Sequence, residues 1–485
     1  MEKYFICLIL LFSIFIANCK KDEFEIDYNI TIYGNVIESK SKNPISNVVV
    51  SDGYNTTLTS ADGRFILNAS EKARYIYCVV PENYEVNTSH EKYRFYKQIN
   101  AVNDTCSVNF ELTLLSNGVE KEFTLLLLAD VHIRDDISFR RFLNETVVDI
   151  KKEIKQHTNI YGINLGDLVS DKTEYFPALQ ETFINIDIPF LHVIGNHDFM
   201  PEENETIKAA FDFENHFGPK NYSLNRGNTH IVVINSNIYA GDAMHSRGFT
   251  REQMSWLKKN LKYVDKNKTL LVFTHIPPRF NEYRLKEEFF NIIEGFKEVH
   301  IFGGHSHRNE FVIHEDYNIY DHTISNASGN AWIRGIMNRH GAPNGYSIYK
   351  INGNTITDGY HKPVNYPKDF QIRMYEPFSF GDEDGYVVAN IWNYDERWLV
   401  KMYEDGVPLG YMENFTDYDP GTFEYIMSIG RTPDKQPAWF RTTTKLFRLK
   451  PNNPDSHICV VAIDPYGNVF QQENFTTSLD EFDTY

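Results

Sequence analysis

Short hydrophobic runs recur through the middle of the chain, each with the length of a buried strand. The first, residues 123–129, is apolar except for Thr124, as expected of a strand covered on both faces. Similar runs follow at residues 161–165, 190–194, 230–235, 270–274 and 299–302. Apolar residues at helical spacing lie between them at 139–157 and from about residue 251 to 264, where Thr250 and Gln253 form a capping-box pattern. This alternation predicts an α/β domain over residues 120–352.

The regions on either side have short β-rich runs separated by turn-forming residues. Before the α/β domain the runs are 29–34, 48–51 and 64–67, broken by pairs such as Asn43-Pro44 and Asp62-Gly63. After it, residues 353–367 resemble a linker, and strand-like runs follow at 386–392, 397–403, 440–447 and 458–463. We predict β-sandwich domains over residues 26–117 and 366–478.

Composition and charge exclude two broad classes of protein. Of 485 residues, 42% are hydrophobic and 24% charged, which is typical of a globular protein and not of a disordered one. The formal net charge is −18, and residues 366–485 alone carry 10 Lys or Arg against 20 Asp or Glu. Because such a surface repels polyanions, general nucleic-acid binding is not expected.

The first residues have the pattern of a secretory signal. The apolar run at residues 5–17 reaches about 20 Å as a helix, short of the ~30 Å hydrocarbon core of a membrane. The segment Ile16-Ala17-Asn18-Cys19 resembles the lipobox of bacterial lipoproteins, which implies a signal peptide over residues 1–18 and a lipid on Cys19. We expect an extracytoplasmic protein, lipid-anchored to the bacterial outer membrane, at the cell surface or the periplasmic face.

Few cysteines remain after the signal, and they do not form a disulfide framework. Cys78, Cys106 and Cys459 are odd in number, so at most one bond is expected within the chain. A Cys78–Cys106 bond inside the first domain and isolated buried thiols are both consistent with the sequence.

Side chains that ligate metals occur at the ends of successive predicted strands. They are Asp130 and His132, then Asp167, then Asn196 and His197, then His275, and finally His305 and His307. Sites in open α/β sheets form beyond the carboxyl ends of the strands, so these clusters are expected to converge.

These side chains suit two divalent cations. Carboxylates, an amide and imidazoles without a thiolate favour Mn, Fe or Zn and leave the choice among them open. The residues form two sets, with Asp130, His132 and His307 for one cation, Asn196, His275 and His305 for the other, and Asp167 as the bridge. His197 follows a ligand directly and is the candidate proton donor to a leaving group.

The five motifs together resemble a known family. Asp-x-His, Gly-Asp, Gly-Asn-His-Asp, a lone His after a strand and Gly-x-His-x-His, in this order over residues 120–350, are similar to the calcineurin-like metallophosphoesterase family. The resemblance implies a four-layer α/β/β/α sandwich with a dinuclear site, the same ligand roles and the proton-donor role of His197. The three-part layout resembles bacterial secreted members with β-sandwich domains on both sides, and residues 34–65 resemble a carboxypeptidase-regulatory-like sandwich.

One motif departs from the phosphoprotein phosphatases of that family. They usually continue the second motif as Gly-Asp-x-Val-Asp-Arg, and this chain has Gly166-Asp167-Leu168-Val169-Ser170-Asp171. The later Asp is displaced by one position and the Arg is absent, which disfavours protein-phosphatase activity. Either Asp171 or Asp198 is then left to orient His197.

Two functions from different classes follow. The first is an extracytoplasmic phosphoesterase that uses a hydroxide held by two metal ions to hydrolyse phosphomonoesters or phosphodiesters, with a phosphorylated small molecule or an envelope phosphate ester as substrate. The alternative is a cell-surface glycan- or protein-binding lipoprotein with a structural metal site. Arg279, Trp332 and Arg334 are candidate substrate contacts, because guanidinium and aromatic groups suit a phosphorylated ligand, although packing explains them equally well.

Overall fold

The computed structural model describes residues 29–479, except 90–91, 93, 200–209, 240–243, 330–331, 333–336 and 383. The predicted signal peptide (residues 1–18) and the predicted lipidation site Cys19 lie outside the described residues. Within the described ranges, no helix combines the length and apolarity needed to cross a membrane.

The N-terminal region is a sandwich of two four-stranded sheets. Its strands are β1 (Ile30–Glu38), β2 (Val49–Ser51), β3 (Thr56–Leu58), β4 (Arg64–Ala69), β5 (Tyr75–Cys78), β6 (Tyr96–Gln98), β7 (Thr105–Ser107) and β8 (Phe110–Leu112). One sheet has the order β4-β1-β7 with β8 also paired to β1, and the other has the order β3-β2-β5-β6. Buried and exposed residues alternate along β4, so one face of its sheet covers the core.

Cys78 and Cys106 are both buried free thiols. Of the two alternatives that the sequence leaves open, the structure therefore has isolated thiols and no Cys78–Cys106 bond.

The central region contains two larger sheets. Its strands are β9 (Glu122–Leu128), β10 (Ile160–Asn164), β11 (Phe190–His192), β12 (Tyr222–Arg226), β13 (Thr229–Val233), β14 (Asn237–Tyr239), β15 (Met244–Arg247), β16 (Thr269–Phe273), β17 (Val299–Gly303), β18 (Glu310–His314), β19 (Ile319–Thr323), β20 (Gly345–Asn352) and β21 (Thr355–Pro363). The orders are β11-β10-β9-β20-β21 and β12-β13-β16-β17-β19-β18, with β14 and β15 as a separate hairpin. Strands β9 to β11 run parallel to one another, as do β13, β16, β17 and β19.

Helices cover the outer face of each sheet. They are α1 (Asp136–Arg141), α2 (Val148–Glu153), α3 (Phe176–Ile184), α4 (Phe211–Phe217), α5 (Arg251–Leu261) and α6 (Lys286–Ile293). On β9, Leu126 and Leu128 pack with the helices of the first half, whereas Leu125 and Leu127 belong to the core that includes the second sheet. Strand β9 is apolar on both faces because each face is buried in a different core. The predicted four-layer α/β/β/α sandwich is confirmed.

Two local features of this region bear on the sequence interpretation. The predicted capping box at Thr250 and Gln253 is confirmed, with both reciprocal hydrogen bonds present at the start of α5. The predicted helix at 139–157 is divided, because a π-helical turn at Phe142–Val147 separates α1 from α2. Phe142, Val147 and Ile150 all reach the core around this turn.

The expectation of a linker at residues 353–367 is wrong, since β21 occupies most of it. This strand pairs antiparallel with β20 at the edge of the first central sheet. Two of its buried residues, His361 and Lys362, are polar and hide the strand pattern. His361 contacts the Pro343 carbonyl at 3.0 Å, and the Lys362 ammonium donates to Asp149 Oδ1 at 2.8 Å.

The C-terminal region is a second sandwich of two antiparallel sheets. Its elements are β22 (Ile372–Tyr375), β23 (Val387–Ile391), β24 (Leu399–Glu404), β25 (Val407–Tyr411), β26 (Glu413–Tyr418), α7 (Pro420–Ser428), β27 (Thr442–Leu449), β28 (Ile458–Ile463) and β29 (Val469–Gln472). The orders are β22-β23-β27-β26 and β25-β24-β28-β29. The sequence interpretation did not include α7, whose N-cap Asp419 also accepts hydrogen bonds from Tyr375 and Asn390.

Candidate active site

The predicted metal ligands converge at one end of the central sheets. Each follows a parallel strand: β9, β10, β11, β16 or β17. Because the carboxyl ends of these strands point to the same edge, side chains far apart in the sequence meet there. The structure brings all seven candidate ligands and His197 to this edge; their roles as ligands and catalyst remain predictions.

The first cluster contains Asp130, His132 and His307. The Nε2 atoms of the two histidines are 3.0 Å apart, and Asp130 Oδ1 lies 3.4 Å from His307 Nε2 and 3.8 Å from His132 Nε2. The Asp130 carboxylate also accepts a hydrogen bond from the backbone N–H of His305, which fixes its orientation. Three donor atoms therefore face a common point.

The second cluster contains Asn196, His275 and His305. Asn196 Oδ1 lies 3.0 Å from His275 Nε2 and 2.8 Å from His305 Nδ1. The other ring nitrogen of His275 lies 2.8 Å from the Leu165 carbonyl, to which its N–H donates, so Nε2 is the atom directed into the site.

Asp167 lies between the two clusters. Its Oδ1 accepts the backbone N–H of His197 at 2.9 Å, and its Oδ2 lies 3.2 Å from His275 Nε2 and 3.6 Å from His132 Nε2. One carboxylate oxygen is thus used to hold the side chain in place, and the other faces a ligand of each cluster. This is the position that a bridging ligand between two cations requires.

The residues present fit two divalent cations. Asp130 and Asp167 are almost fully buried, and buried carboxylates need a positive partner. Three overlapping groups of residues could each hold a metal ion, and within each group the oxygen and nitrogen donor atoms lie within 4.8 Å of one another. This donor set suits Mn, Fe or Zn and does not distinguish among them.

The site's electrostatics favour ionised carboxylates beside imidazoles. Burial by itself raises the pKa of Asp167, but the charge and hydrogen bond of His275 outweigh it and lower that pKa far below its usual range. Burial lowers the pKa of His132 and of His305 to about 4, so both imidazoles are neutral at pH 7 and available as ligands.

The backbone of the site is strained. Five candidate ligands have left-handed backbone conformations: Asp130 (φ 52°), His132 (φ 52°), Asp167 (φ 53°), His305 (φ 69°) and His307 (φ 58°). Such a conformation costs a non-glycine residue about 1 kcal/mol or more, and it persists where the surrounding structure enforces it, often at functional sites.

Close backbone approach explains one of the site's glycines. A Cβ atom on Gly195 would lie 2.0 Å from the backbone nitrogen of Asp167 and 2.2 Å from its Oδ1. No side chain fits in that space, so glycine at this position lets the Asn196 loop approach the bridging carboxylate.

His197 points across the site toward Asp171. Its Nδ1 lies 3.0 and 3.1 Å from the two oxygens of the Asp171 carboxylate. Asp198 instead accepts the backbone N–H groups of Val169 and Gly195 and stabilises their turns. Of the two candidates from the sequence, Asp171 therefore orients His197.

Burial opposes a positive charge on His197, but the hydrogen bond to Asp171 and the charge of Asp167 outweigh it. Together they raise the pKa of His197 to about 9. The side chain is 39% exposed, so a proton on it can reach a ligand at the mouth of the site.

Two supporting residues were not found from the sequence. The Ser170 hydroxyl lies 3.2 Å from His132 Nδ1, and Asn326 Nδ2 lies 3.2 Å from His307 Nδ1. Both contact the ring nitrogen that faces away from the cluster, as residues that orient metal-binding histidines do. No motif marks Asn326, and Ser170 is recognisable only as the residue that displaces the family's Asp.

The candidate substrate residues have different positions. Arg279 lies beside the site, where its Nη2 donates to Ser306 Oγ at 3.0 Å. Trp332 is buried, and its indole N–H donates to the Val131 carbonyl at 2.6 Å. Of the two explanations that the sequence leaves open for Trp332, its burial favours packing, because the ring belongs to the core cluster that includes Val131 and Ile133. Arg334 lies outside the described residues.

Three family models match successive parts of the chain. "N terminal of Calcineurin-like phosphoesterase" matches residues 30–115, "Calcineurin-like phosphoesterase" matches 123–309, and "C terminal of Calcineurin-like phosphoesterase" matches 321–470. The second range contains all seven candidate ligands and His197.

Among curated proteins, purple acid phosphatase 15 of Arabidopsis thaliana is 30% identical over 155 residues, or 28% of this chain and 27% of that protein. A probable glycerophosphodiester phosphodiesterase, GpdQ, of Arcobacter nitrofigilis is 30% identical over 118 residues, or 23% of this chain and 40% of that protein. The matches thus span less than half the length of either relative.

A solved dimetal phosphatase from Danio rerio is similar at a TM-score of 0.35 and 14% identity, covering 50% of this chain and 96% of that one.

The three matching models come from one family and succeed one another along most of the sequence, with the ligand motifs in the central one. The chain belongs to the calcineurin-like phosphoesterase family.

Proposed function

We propose that this protein is an extracytoplasmic, metal-dependent phosphoesterase that hydrolyses phosphomonoesters or phosphodiesters. The observation that carries the proposal is the position of Asp167, whose Oδ2 faces His132 of one cluster and His275 of the other. When bound, two divalent cations lower the pKa of a water molecule and neutralise the charge of phosphate oxygens. Asp130, His132 and His307 would hold one cation, Asn196, His275 and His305 the other, and Asp167 both.

His197 supplies a function that a structural metal site does not need. Phosphate-ester hydrolysis leaves an alkoxide, which requires a proton as the bond breaks. His197 carries that proton at pH 7, because Asp171 and Asp167 raise its pKa to about 9. Asp171 also fixes the ring through Nδ1, so Nε2 remains to donate toward the leaving oxygen.

The location outside the cytoplasm rests on the N-terminal sequence alone. The short apolar run and the Cys19 that follows it support export and lipid attachment to an outer membrane. A phosphate ester of the cell envelope or a phosphorylated small molecule is then the accessible substrate. The metals are Mn, Fe or Zn by donor type.

The test is turnover after controlled metal loading. The chain lacking residues 1–19 is treated with a chelator, reloaded with Mn²⁺, Zn²⁺ or Fe²⁺, and assayed on p-nitrophenyl phosphate and bis(p-nitrophenyl) phosphate. We expect metal-dependent hydrolysis. On glycerol 2-phosphate, whose leaving alkoxide needs a proton, phosphate release should fall at least about a hundredfold in His197→Ala, which is the size of a general-acid contribution. His457→Ala, at a histidine 61% exposed in the C-terminal sandwich, is the matched control and should keep full activity. If no ester is hydrolysed although two cations bind, the enzyme proposal fails and the binding-lipoprotein alternative replaces it.

A further inference from the structure

Arg279 has an unused donor next to the candidate metal site. Its Nη2 donates to Ser306 Oγ, and Ser306 lies between the candidate ligands His305 and His307. Its guanidinium also forms an ion pair with Glu310. Its Nη1 is buried and has no hydrogen-bond partner among the described residues. A buried donor without a partner costs free energy unless a ligand satisfies it.

Arg308 follows the ligand His307 and shares the same acidic partner. Its Nη1 lies 3.7 Å from Glu310 Oε1. Because one carboxylate contacts both Arg279 and Arg308, it neutralises only one of the two positive charges. A net positive charge therefore remains beside the site, in a chain whose formal net charge is −18.

Two further arginines approach from the C-terminal sandwich and the loop tied to it. Arg339 Nη1 donates to the Ala438 carbonyl at 2.8 Å, and its guanidinium lies 5.8 Å from the centre of the Trp439 ring. Arg441, which is exposed, follows two residues after Trp439. The loop that carries Arg339 is anchored to the C-terminal sandwich, since Arg373 Nη1 donates to the Gly341 carbonyl at 3.1 Å.

A short chain of hydrogen bonds places the loop that carries Arg339 next to Arg308. Asn338 Nδ2 donates to Ser325 Oγ at 2.7 Å, and the Ser325 backbone N–H donates to Asn309 Oδ1 at 2.9 Å. Burial and then the positive charge of Arg441 and that of Arg308 lower the pKa of Arg339. Because Coulomb interactions weaken with distance, this shift agrees with the placement that the hydrogen bonds give the Arg339 loop, between Arg308 and the segment before Arg441.

We propose that Arg279, Arg308, Arg339 and Arg441 form a second anion subsite between the central and C-terminal domains, beside the metal clusters. The substrate that fits is a phosphate ester with a second phosphate group on its leaving part. This inference rests on the proposed function for the scissile phosphate and adds the second group. Guanidinium groups match phosphate oxygens in a bidentate geometry, and a phosphate there relieves the repulsion among the arginines.

Part of the subsite comes from the C-terminal sandwich. Residues 366–485 carry a net acidic charge, with 10 Lys or Arg against 20 Asp or Glu, yet they contribute Arg441 to the proposed subsite. The sandwich therefore acts in substrate selection and not only as a support for the central domain.

The test compares matched substrates with one and two phosphates. With both metals bound, phosphate release from glucose 6-phosphate is measured against that from glucose 1,6-bisphosphate. We expect the bisphosphate to have a kcat/KM at least about tenfold higher, through a lower KM, because it gains a charge-assisted interaction. Arg441→Gln should reduce the ratio of the two kcat/KM values about fivefold. Arg448→Gln, on the strand β27 that begins directly after Arg441 but paired with Glu413 at 2.9 Å, is the control and should leave the ratio unchanged.

A binding measurement separates this inference from the proposed function. Butane-1,4-diylbisphosphonate and butylphosphonate, which resist hydrolysis, are titrated calorimetrically into the metal-loaded protein. Tighter binding of the bisphosphonate that is weakened in Arg441→Gln and kept in Arg448→Gln supports the subsite. Equal binding of the two phosphonates overturns it, even if monophosphate hydrolysis succeeds. Absence of hydrolysis of every ester would count against the proposed function, and the titration would still decide the subsite.

Discussion

The imidazole Nδ1 of His197 lies 3.0 Å from Asp171 Oδ1, across the mouth of the candidate active site. Asp171 stands one position later than the Asp of the protein-phosphatase motif, with Ser170 in its place. Ser170 contacts His132 instead, at 3.2 Å. The displaced carboxylate thus still reaches the histidine that we propose as proton donor, and the intervening serine supports a candidate metal ligand.

Removing the Asp171 carboxylate should change the pH dependence of hydrolysis. The carboxylate raises the pKa of His197, so Asp171→Asn lowers it. A general acid loses its proton as the pH rises through its pKa, and the alkaline decline of kcat should therefore begin at lower pH in Asp171→Asn. The measurement is kcat from pH 6 to pH 10 for phosphate release from glycerol 2-phosphate, whose leaving alkoxide needs a proton. An alkaline limb that does not move would show that Asp171 does not act through His197.

Substitution of Asp167 and of His197 should separate metal binding from proton donation. Asp167 Oδ2 faces both clusters, so Asp167→Asn should lose most of the bound metal as well as activity. His197→Ala should keep two metal ions per chain and lose activity, because its side chain is not among the seven ligands. Elemental analysis of the dialysed proteins provides the comparison. Two tightly bound ions in Asp167→Asn would contradict the bridging role.

A methyl group at Gly195 should displace Asp167 from its position in the site. Its Cβ would lie 2.0 Å from the Asp167 backbone nitrogen, so Gly195→Ala must displace one of the two loops. We expect loss of metal binding and of hydrolysis. Gly406→Ala, at a turn with open space around the Cβ and a φ of 77°, is the control. It should cost about 1 kcal/mol of stability through backbone strain and leave the metal content intact. A fully active Gly195→Ala protein would refute the argument from close approach.

The stability of the protein should fall on mild acidification, in part because of His192. Burial lowers the pKa of this histidine to about 3, and its Nδ1 has no hydrogen-bond partner among the described residues. Between pH 6.5 and pH 3 the unfolded chain binds a proton here that the folded chain does not, so the folded state loses stability as the pH falls. Its ring lies among Phe183 and Phe217, at centroid distances of 5.0 and 4.7 Å, and phenylalanine suits that environment.

His192→Phe should therefore reduce the acid sensitivity. From pH 7.5 to pH 5.5, wild type should lose about 1.4 kcal/mol more of its free energy of unfolding than the variant, for a single histidine with this pKa shift. Urea denaturation at the two pH values measures the difference. The same loss in both proteins would mean that His192 is not buried in the neutral form.

The sequence predicts the ends of the central strands well because ligand motifs follow directly after apolar runs. Asp130 after β9 and His305 after β17 are examples: in both, the apolar run predicts the strand and the ligand motif begins within two residues of its end. What it misses depends on contacts between distant segments. Asn326 reaches His307 through a loop without a motif, Trp332 turns inward to the Val131 carbonyl, and β21 buries polar residues that pair with distant partners.

The same dependence on contacts between distant segments explains why the sequence does not predict the proposed arginine subsite. Arg279 alone is an ambiguous residue in the sequence, because a single guanidinium four positions after His275 has many explanations. The proposed subsite adds Arg308, Arg339 and Arg441 to it, and the last of these comes from the C-terminal sandwich, which contacts the Arg339 loop. A charge pattern built from separate domains leaves no local signal in the chain.

The dinuclear site is tested most directly by a stoichiometric titration with Mn²⁺ of the chain from which a chelator has removed all metal. Bound metal and p-nitrophenyl phosphate hydrolysis are followed together. We expect two ions to bind per chain, with hydrolysis that rises as the second ion binds and is absent from His275→Ala at every Mn²⁺ concentration that saturates wild type. Full hydrolysis with one ion or none bound would contradict it.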